Sequence, residues 1–281
     1  MKKSHALQNV GKIIKYLFLL CYLIIVIFPF AWMLLTSLKS TQGEIYAFPV
    51  HYLPKSPSLV NYISMLWKGN FSQYMVNSLV VSGLAGAGAV FIGILAAYTI
   101  SRFHFKGQGA VLFFFLFTQM IPMFIMLAPL YQMLSKWNML NSIWTLALLY
   151  INMTIPFSVV TLRGFFSGVS STIEEAAQID GCGRLRALFN VIVPIMLPGI
   201  AATFIFAFIN SWNELFMAIM FIDMDRFKTI PVGLNALILK YDIKWGEMSA
   251  GAIMALIPTI ILFSFAQKYM VEGLSAGAVK G

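Results

Sequence analysis

Charged residues are scarce in this chain of 281 residues. Asp, Glu, Lys and Arg make up 10% of it, whereas hydrophobic residues make up 60%. Ordinary soluble domains hold about 25% charged and about 45–50% apolar residues. So few charges leave too little polar surface for a water-soluble fold of this length. The composition therefore indicates that a lipid bilayer surrounds most of the chain.

Residues that usually carry chemistry are also rare. The two cysteines, Cys21 in an apolar run and Cys182 in a polar segment, predict no disulfide. The histidines His5, His51 and His104 lie far apart, and none stands at metal-ligand spacing from another. The phosphate-binding pattern of Gly, four residues and Gly-Lys-Ser/Thr is missing. We therefore expect no catalytic residue, no metal site and no cofactor bound by this chain.

What the sequence does contain is six long apolar runs. A helix needs about 20 mostly apolar residues to cross a bilayer. The runs are continuous rather than alternating, so they predict helices and not the strands of a barrel. The sequence therefore predicts an all-α membrane protein with six transmembrane helices. The runs cover residues 13–36, 75–100, 109–134, 142–162, 195–222 and 249–270.

The basic residues between the runs predict the orientation. The net charge of +9 includes no long basic cluster, so we expect no nucleic-acid partner. With a cytoplasmic N-terminus, eleven of the 19 Lys and Arg residues fall inside, four of them before the first run. This bias follows the positive-inside rule. An even number of spans then predicts that both termini are cytoplasmic, with the first run kept as an anchor because it is too long for a signal peptide.

Two loops and one helix face stand out in this topology. Residues 37–74 form the longest loop, predicted outside, with a short amphipathic stretch near residues 59–67. Residues 163–194 are the only inside segment large enough to form a surface. Within the second run, Ala85, Ala89, Gly93 and Ala97 recur every four residues. Small residues at this spacing favour a packing seam between two helices.

The inside segment 163–194 begins with a helix-start signal. Thr172 with Glu175, or Ser171 with Glu174, fits a capping box, and Gly181 is a natural stop. The pattern predicts a helix of about two turns from near residue 172 to near residue 181, and a second helix from near 184 toward 194. Two turns are not stable alone. Local chemistry leaves open whether the first helix docks a partner or only covers the surface between two spans.

The same segment resembles a known loop. Glu175-Ala176-Ala177, then Gly181, then Val191-Ile192-Val193-Pro194 is similar to the EAA loop of ATP-binding-cassette (ABC) importer permeases, whose pattern ends in Ile-x-Leu-Pro. Further stretches resemble the carbohydrate-uptake branch of that family, which includes the maltose-type permeases. These stretches are Leu162–Phe166, Ser211–Glu214, Thr229–Leu234 and Gly273–Gly281.

The resemblance implies a fold, a location and partners. It implies the type I ABC importer permease fold in the bacterial cytoplasmic membrane, with a transmembrane core over 75–270. An anchor helix and outer loop would occupy 1–74, and a cytoplasmic tail 271–281. The partners implied are a second permease subunit, two ATPase subunits that bind the ATP, a solute-binding protein outside, a carbohydrate substrate and lipid.

Residue roles follow from the motif positions. Glu175 would form a salt bridge with a basic residue of the ATPase, Ala176 and Ala177 would form the close-contact face, and Gly181 would turn the chain. The residues that the resemblance assigns to ATPase coupling are Glu174, Glu175, Ala176, Ala177, Asp180 and Gly181.

A polar stripe in the fifth run suggests a substrate path. Asn210, Asn213, Glu214 and Met217 follow i, i+3, i+4, i+7 spacing, and a carboxylate inside a membrane helix usually faces a cavity or a partner. The stripe would hydrogen-bond sugar hydroxyls, with Trp212 stacking on sugar rings. The alternative is that the stripe holds two subunits together by hydrogen bonds between helices.

Two other classes of membrane protein compete with this interpretation. An ion-coupled secondary transporter usually places ionisable residues at the midplane of several spans, and only Glu214 fits that description. An intramembrane enzyme would need a Ser/Lys, His-rich or paired-Asp constellation within the spans, and none is visible. Dependence of transport on ATP rather than on an ion gradient discriminates the importer from the secondary transporter.

Overall fold

The computed structural model describes residues 2–238 and 243–278, and all the regular structure in these ranges is helical. The first seven helices are α1 (Lys2–Ser37), α2 (Gln42–Ile45), α3 (Val60–Lys68), α4 (Phe71–Arg102), α5 (Gln108–Thr118), α6 (Met123–Lys136) and α7 (Ile143–Gly168). The others are α8 (Ser171–Ile179), α9 (Arg184–Ala187), α10 (Val193–Ile195), α11 (Leu197–Trp212), α12 (Phe216–Phe221), α13 (Ile230–Ile238) and α14 (Trp245–Ala278). A π-helical stretch (Leu188–Ile192) precedes α10, and a 3₁₀ turn (Asp225–Phe227) precedes α13.

Four helices are long and apolar enough to cross a membrane. They are Gly11–Ser37 of α1, α4, α7 and Trp245–Phe265 of α14. Two helix pairs meet the same criterion but are sharply bent, α5 with α6 by 91° and Arg184–Ile195 with α11 by 82°. The described residues thus hold four candidate spans, or six if each bent pair crosses. The all-helical membrane fold is confirmed, but the third predicted run is broken rather than straight.

Prolines account for both bends. Pro122 precedes α6 directly, lacks a backbone N–H, and disfavours helical geometry at the residue before it. The chain therefore leaves the helix between α5 and α6. At the second bend, Met196 ends α10 and begins α11, and Pro198 lies in the first turn of α11, where its missing N–H costs nothing.

The chain divides into two compact units, residues 1–71 with 234–256 and residues 72–233 with 257–281. In the first unit, α3 occupies the amphipathic stretch predicted near residues 59–67, which confirms it. Lys39 is 2% exposed, and its Nζ donates to the His51 carbonyl at 2.7 Å and lies 5.2 Å from the ring centroid of Trp32. The ammonium group is thus satisfied within the loop that follows α1.

In the second unit, α4 packs closely against α7. Ala85, Ala89 and Ala97 are completely buried, and a Cβ placed at Gly93 would lie 3.0 Å from Cδ1 of Leu162 in α7. A side chain at this position would require Leu162 and Ser158 to shift, so glycine favours the close approach. The packing seam predicted from the four-residue spacing is therefore confirmed.

Two apolar clusters form the core of the second unit, and each adjoins a buried carboxylate. One cluster includes Leu146, Tyr150 and Phe221, next to Glu214. The other includes Tyr98, Leu162, Phe166 and Leu188, next to Glu174. Glu174 belongs to the predicted inside segment 163–194, and Glu214 belongs to the polar stripe predicted in the fifth apolar run.

Candidate functional site

The short helix α8 is capped at both ends. The Ser170 Oγ accepts the N–H of Thr172 at 3.3 Å and also pairs with its hydroxyl at 2.8 Å. At the other end Gly181 has a φ of +85°, and its N–H donates to Gln178 O at 3.0 Å while that of Cys182 donates to Ala177 O at 2.9 Å. These two bonds form a Schellman motif. The predicted helix is confirmed.

The predicted capping box is wrong in its details. Ser170 caps the helix, one residue before Ser171 and two before Thr172, the two predicted capping residues. Glu174 does not reach back to the helix start, because its carboxylate is bound by residues of α4. The helix is therefore fixed by one Ser cap and by a contact with another helix.

Glu174 is buried and anchors α8 to the end of α4. The Tyr98 hydroxyl donates to Oε1, and Nε of Arg102 donates to Oε2 at 3.2 Å in an ion pair. Arg102 Nη2 also donates to the Val169 carbonyl at 2.8 Å, just before α8. The buried Glu174 carboxylate therefore has a charged and a neutral hydrogen-bond donor, which compensate its burial and fix its position.

Aromatic rings surround this anchor. The Tyr98 ring lies 5.8 Å from Phe103 and 5.9 Å from Phe166, measured between centroids. The Arg184 guanidinium, which opens α9, lies 5.0 Å from the centroid of Phe103. Residues of α4, α7, α8 and α9 therefore meet around one carboxylate.

The remaining motif residues of α8 divide between two faces. Ala177 is buried with Glu174, whereas Glu175, Ala176 and Asp180 are exposed. Ile179 is also exposed, with 86% of its surface accessible. The structure thus buries Glu174 and Ala177 and leaves Glu175, Ala176 and Asp180 exposed.

The helix after α8 starts at Arg184, as predicted, but it does not continue as a regular α-helix. It changes to π geometry over Leu188–Ile192 and returns to α geometry at Val193. Pro194 has no N–H to donate to the carbonyl four residues earlier, and its ring crowds that carbonyl. A π turn just before the proline relieves this conflict.

The polar stripe of the fifth run does not form one helix face. α11 ends at Trp212, Asn213–Leu215 interrupt the helix, and α12 begins at Phe216. Asn213 is exposed and its Nδ2 donates to Ile209 O at 3.0 Å, while Glu214 is buried. The i, i+3, i+4, i+7 prediction is wrong because it assumed an unbroken helix.

Glu214 is fully engaged inside this chain. Its carboxylate accepts the Tyr150 hydroxyl at 2.6 Å and the N–H groups of Met217 and Ala218 at 2.9 and 3.2 Å. Free N–H groups at a helix start attract a negative charge, so Glu214 stabilises the start of α12. Its bonds connect elements of one chain, whereas the hydrogen-bonding alternative placed them between subunits.

The two other residues of the predicted path differ in accessibility. Asn210 is half-buried, and its Nδ2 donates to the Phe206 carbonyl at 2.8 Å. Trp212 is buried, with its ring stacked on Phe208 at a centroid distance of 5.5 Å. Asn213 and Asn210 are therefore open to a ligand, whereas Trp212 and Glu214 pack within the chain.

Sequence reasoning missed Tyr98, Arg102 and Tyr150, which hold the two buried carboxylates. A signal existed for the first pair, because Tyr98 and Arg102 lie four residues apart and so share a helix face at the end of a span. Tyr150 lies within an apolar run with no distinguishing pattern. Only the packing of α7 against α12 brings it to Glu214.

The fold defined by these helices is that of ABC importer permeases. The chain aligns with the crystal structure of a bacterial ABC transporter involved in the import of the acidic polysaccharide alginate, with a TM-score of 0.80. The alignment covers 93% of this chain and 97% of that chain at 20% sequence identity. The chain thus shares the helical fold of that transporter chain.

The family follows from the sequence comparisons. Residues 89–275 match the family described as binding-protein-dependent transport system inner membrane component, and the chain belongs to that family. It is 35% identical to the probable ABC transporter permease protein YurM of Bacillus subtilis, over 97% of this chain and 90% of that protein. It is 33% identical to the sulfoquinovosyl glycerol transport system permease protein SmoH of Agrobacterium fabrum, over 96% and 95%. It is 34% identical to the diacetylchitobiose uptake system permease protein DasC of Streptomyces coelicolor, over 91% and 92%.

Proposed function

We propose that this chain is the permease subunit of an importer that moves a carbohydrate across the bacterial cytoplasmic membrane, driven by ATP hydrolysis on a separate ATPase subunit. The observation that carries the proposal is α8, a helix capped at both ends and anchored on α4, whose other face is exposed. An anchored helix of this kind transmits a push better than a flexible loop, because it moves as a rigid body.

The exposed face of α8 has the chemistry of a docking surface. Ile179 and Leu185 are 86% and 65% exposed, and the acidic Glu175 and Asp180 lie on the exposed side of the same segment. Ala176 leaves room for close approach. Exposed apolar side chains with Glu175 and Asp180 nearby suit a groove with basic residues in an ATPase, and Glu175 is the proposed salt-bridge partner. Gly181 then redirects the chain away from the groove.

The other partners follow from the family and its relatives. Binding-protein dependence implies that a solute-binding protein delivers the substrate from outside. The relatives named for sulfoquinovosyl glycerol and diacetylchitobiose support a carbohydrate or glycoside as substrate. We propose a heterodimer with a second permease subunit and two ATPase subunits, each permease docking one ATPase through its own α8-like helix.

The proposed topology places α8 and both termini in the cytoplasm. Residues 1–74 then provide the anchor helix and an outer loop, 75–270 the translocation core, and 271–281 a cytoplasmic tail. In that core, Asn213 and Asn210 are the proposed substrate contacts, because their side chains are accessible. Glu214 and Trp212 instead stabilise the backbone conformation of the non-helical residues between α11 and α12.

Co-purification tests the coupling surface. Glu175→Arg should lower recovery of the ATPase with the permease pair, and ATP-driven uptake, at least tenfold, because the charge on the docking face is reversed. Glu175→Asp, which keeps the charge, is the matched control and should stay close to the wild type. Wild-type ATPase recovery and uptake with Glu175→Arg would overturn the proposed docking role.

A further inference from the structure

α4 connects α8 to a distant segment of the same unit. The last turn of α4 carries Tyr98 and Arg102, which hold the Glu174 carboxylate of α8. α4 has 32 residues, which corresponds to about 48 Å at 1.5 Å per residue. A helix of this length and apolarity reaches from one face of a bilayer to the other. Whatever is bound at its first turns therefore lies far from the Glu174 anchor.

The first turns of α4 bind residues 225–230, called here the outer segment. Four hydrogen bonds of 2.7–3.0 Å join them, and the α4 side chains at positions 77 and 78 are buried. Because these bonds come from positions 74, 77 and 78 of one helix, a displacement of the start of α4 acts directly on the outer segment. The bonds pair Tyr74 with Asp225, Asn77 with the carbonyls of Arg226 and Lys228, and Ser78 with the N–H of Ile230.

α4 also differs from the other long helices in having no internal proline. α1, α7 and α14 contain the internal prolines Pro29, Pro156 and Pro258, whereas α4 has no internal proline. A proline removes one hydrogen bond of the helix and provides a point of bending. α7 also lies close to α4 at two of its glycines, since a Cβ at Gly88 would meet Ile151 and one at Gly93 would meet Leu162.

We infer that α4 carries the movement of α8 to the outer segment, and that Glu174 is the positioning residue that ties the two helices together. The inference rests on the proposed coupling role of α8. Pulling α8 away from α4 would leave the buried charge of Glu174 and the partly buried charge of Arg102 without each other, which is strongly unfavourable. When an ATPase displaces α8, joint movement of α8 and α4 therefore costs less than their separation.

Hydrogen exchange measured by mass spectrometry tests this in the complete complex. The complex of both permease subunits, the ATPase subunits and the loaded binding protein is compared in lipid nanodiscs with and without ATP. In the wild type, ATP should change the exchange of peptides covering 171–179 and 225–230. With Glu174→Gln the change at 171–179 should persist, while that at 225–230 should fall at least threefold, and more ATP should be hydrolysed per substrate molecule imported.

The matched control is Glu175→Gln, the same chemical change one residue later on the exposed face. It should reduce the amount of complex, but in complexes that form, both peptides should respond in the wild-type ratio.

The double variant Glu174→Arg with Arg102→Glu restores an ion pair and should recover the response at 225–230. If Glu174→Gln does not assemble, Arg102→Gln carries the same test, because it breaks the ion pair from the α4 side and leaves the Tyr98 hydroxyl in place.

The outcomes separate the two proposals. A full response at 225–230 in Glu174→Gln, or in Arg102→Gln where that variant replaces it, overturns the role of α4. Absence of any ATP-dependent change at 171–179 in the wild type overturns the coupling role of α8 itself.

Discussion

Glu174 and Glu175 are neighbours in the sequence but face opposite environments. Glu174 is buried against Tyr98 and Arg102, whereas Glu175 is exposed on the other side of the same helix. Both had been assigned to ATPase coupling by motif position. The structure gives them different physical tasks, since a buried carboxylate holds its own chain and an exposed one is free to pair with a partner.

This difference predicts unequal effects on stability. Glu174→Ala leaves the Arg102 charge buried without its partner and should lower the free energy of unfolding by about 3 kcal/mol. Glu175→Ala removes an exposed charge and should change it by less than about 0.5 kcal/mol. Unfolding temperatures of the purified variants in one detergent provide the measurement. Equal shifts for the two variants would contradict the assignment of Glu174 to an internal anchor.

Asn213 and Glu214 form a second neighbouring pair with different expected roles. Asn213→Ala should weaken apparent substrate affinity in uptake assays several-fold while the complex assembles normally, because it removes an accessible amide. Glu214→Ala should instead lower the unfolding temperature, since Tyr150 and the first N–H groups of α12 lose their acceptor. Unchanged affinity in a normally assembled Asn213→Ala complex would exclude Asn213 from the substrate path.

At the scale of elements, α8 shows which features local sequence predicts. Its existence, its approximate length and its glycine stop follow from the residues of the segment itself. Its capping residue is Ser170 rather than Ser171 or Thr172, and all three residue types are good caps, so the local sequence does not choose between them. The interruption at Asn213–Leu215 was also missed, because it depends on Tyr150 in another helix.

The left-handed turn after α8 gives a prediction for that element. Gly181→Ala places a side chain at a φ of +85° and should cost about 1–2 kcal/mol. Gly183→Ala is the matched control, because Gly183 has a φ of −66° and open space around its Cα. Comparison of the two unfolding temperatures should show a loss of several degrees for Gly181→Ala alone. A loss of the same size in Gly183→Ala would mean that the turn geometry is not the cause.

At the scale of the whole molecule, composition and apolar runs were sufficient for the class of fold. An apolar content of 60% predicts a helical membrane protein, and the described residues hold four candidate spans and two bent pairs. The bends were beyond prediction from hydropathy, which measures how apolar a run is and not whether its helix is continuous. Pro122 and Pro198 marked the bends in the sequence, but Pro29, Pro156 and Pro258 lie within helices that continue past them.

The proposed function makes transport by this permease dependent on ATP that a separate ATPase subunit hydrolyses. The most direct test is uptake of radiolabelled maltose, trehalose and diacetylchitobiose into proteoliposomes that contain the complete complex, with the binding protein outside. We expect uptake of at least one sugar only when ATP is enclosed and the binding protein is present. We expect no ATP hydrolysis by this chain when it is purified alone. Uptake driven by an imposed proton or sodium gradient without ATP would contradict it.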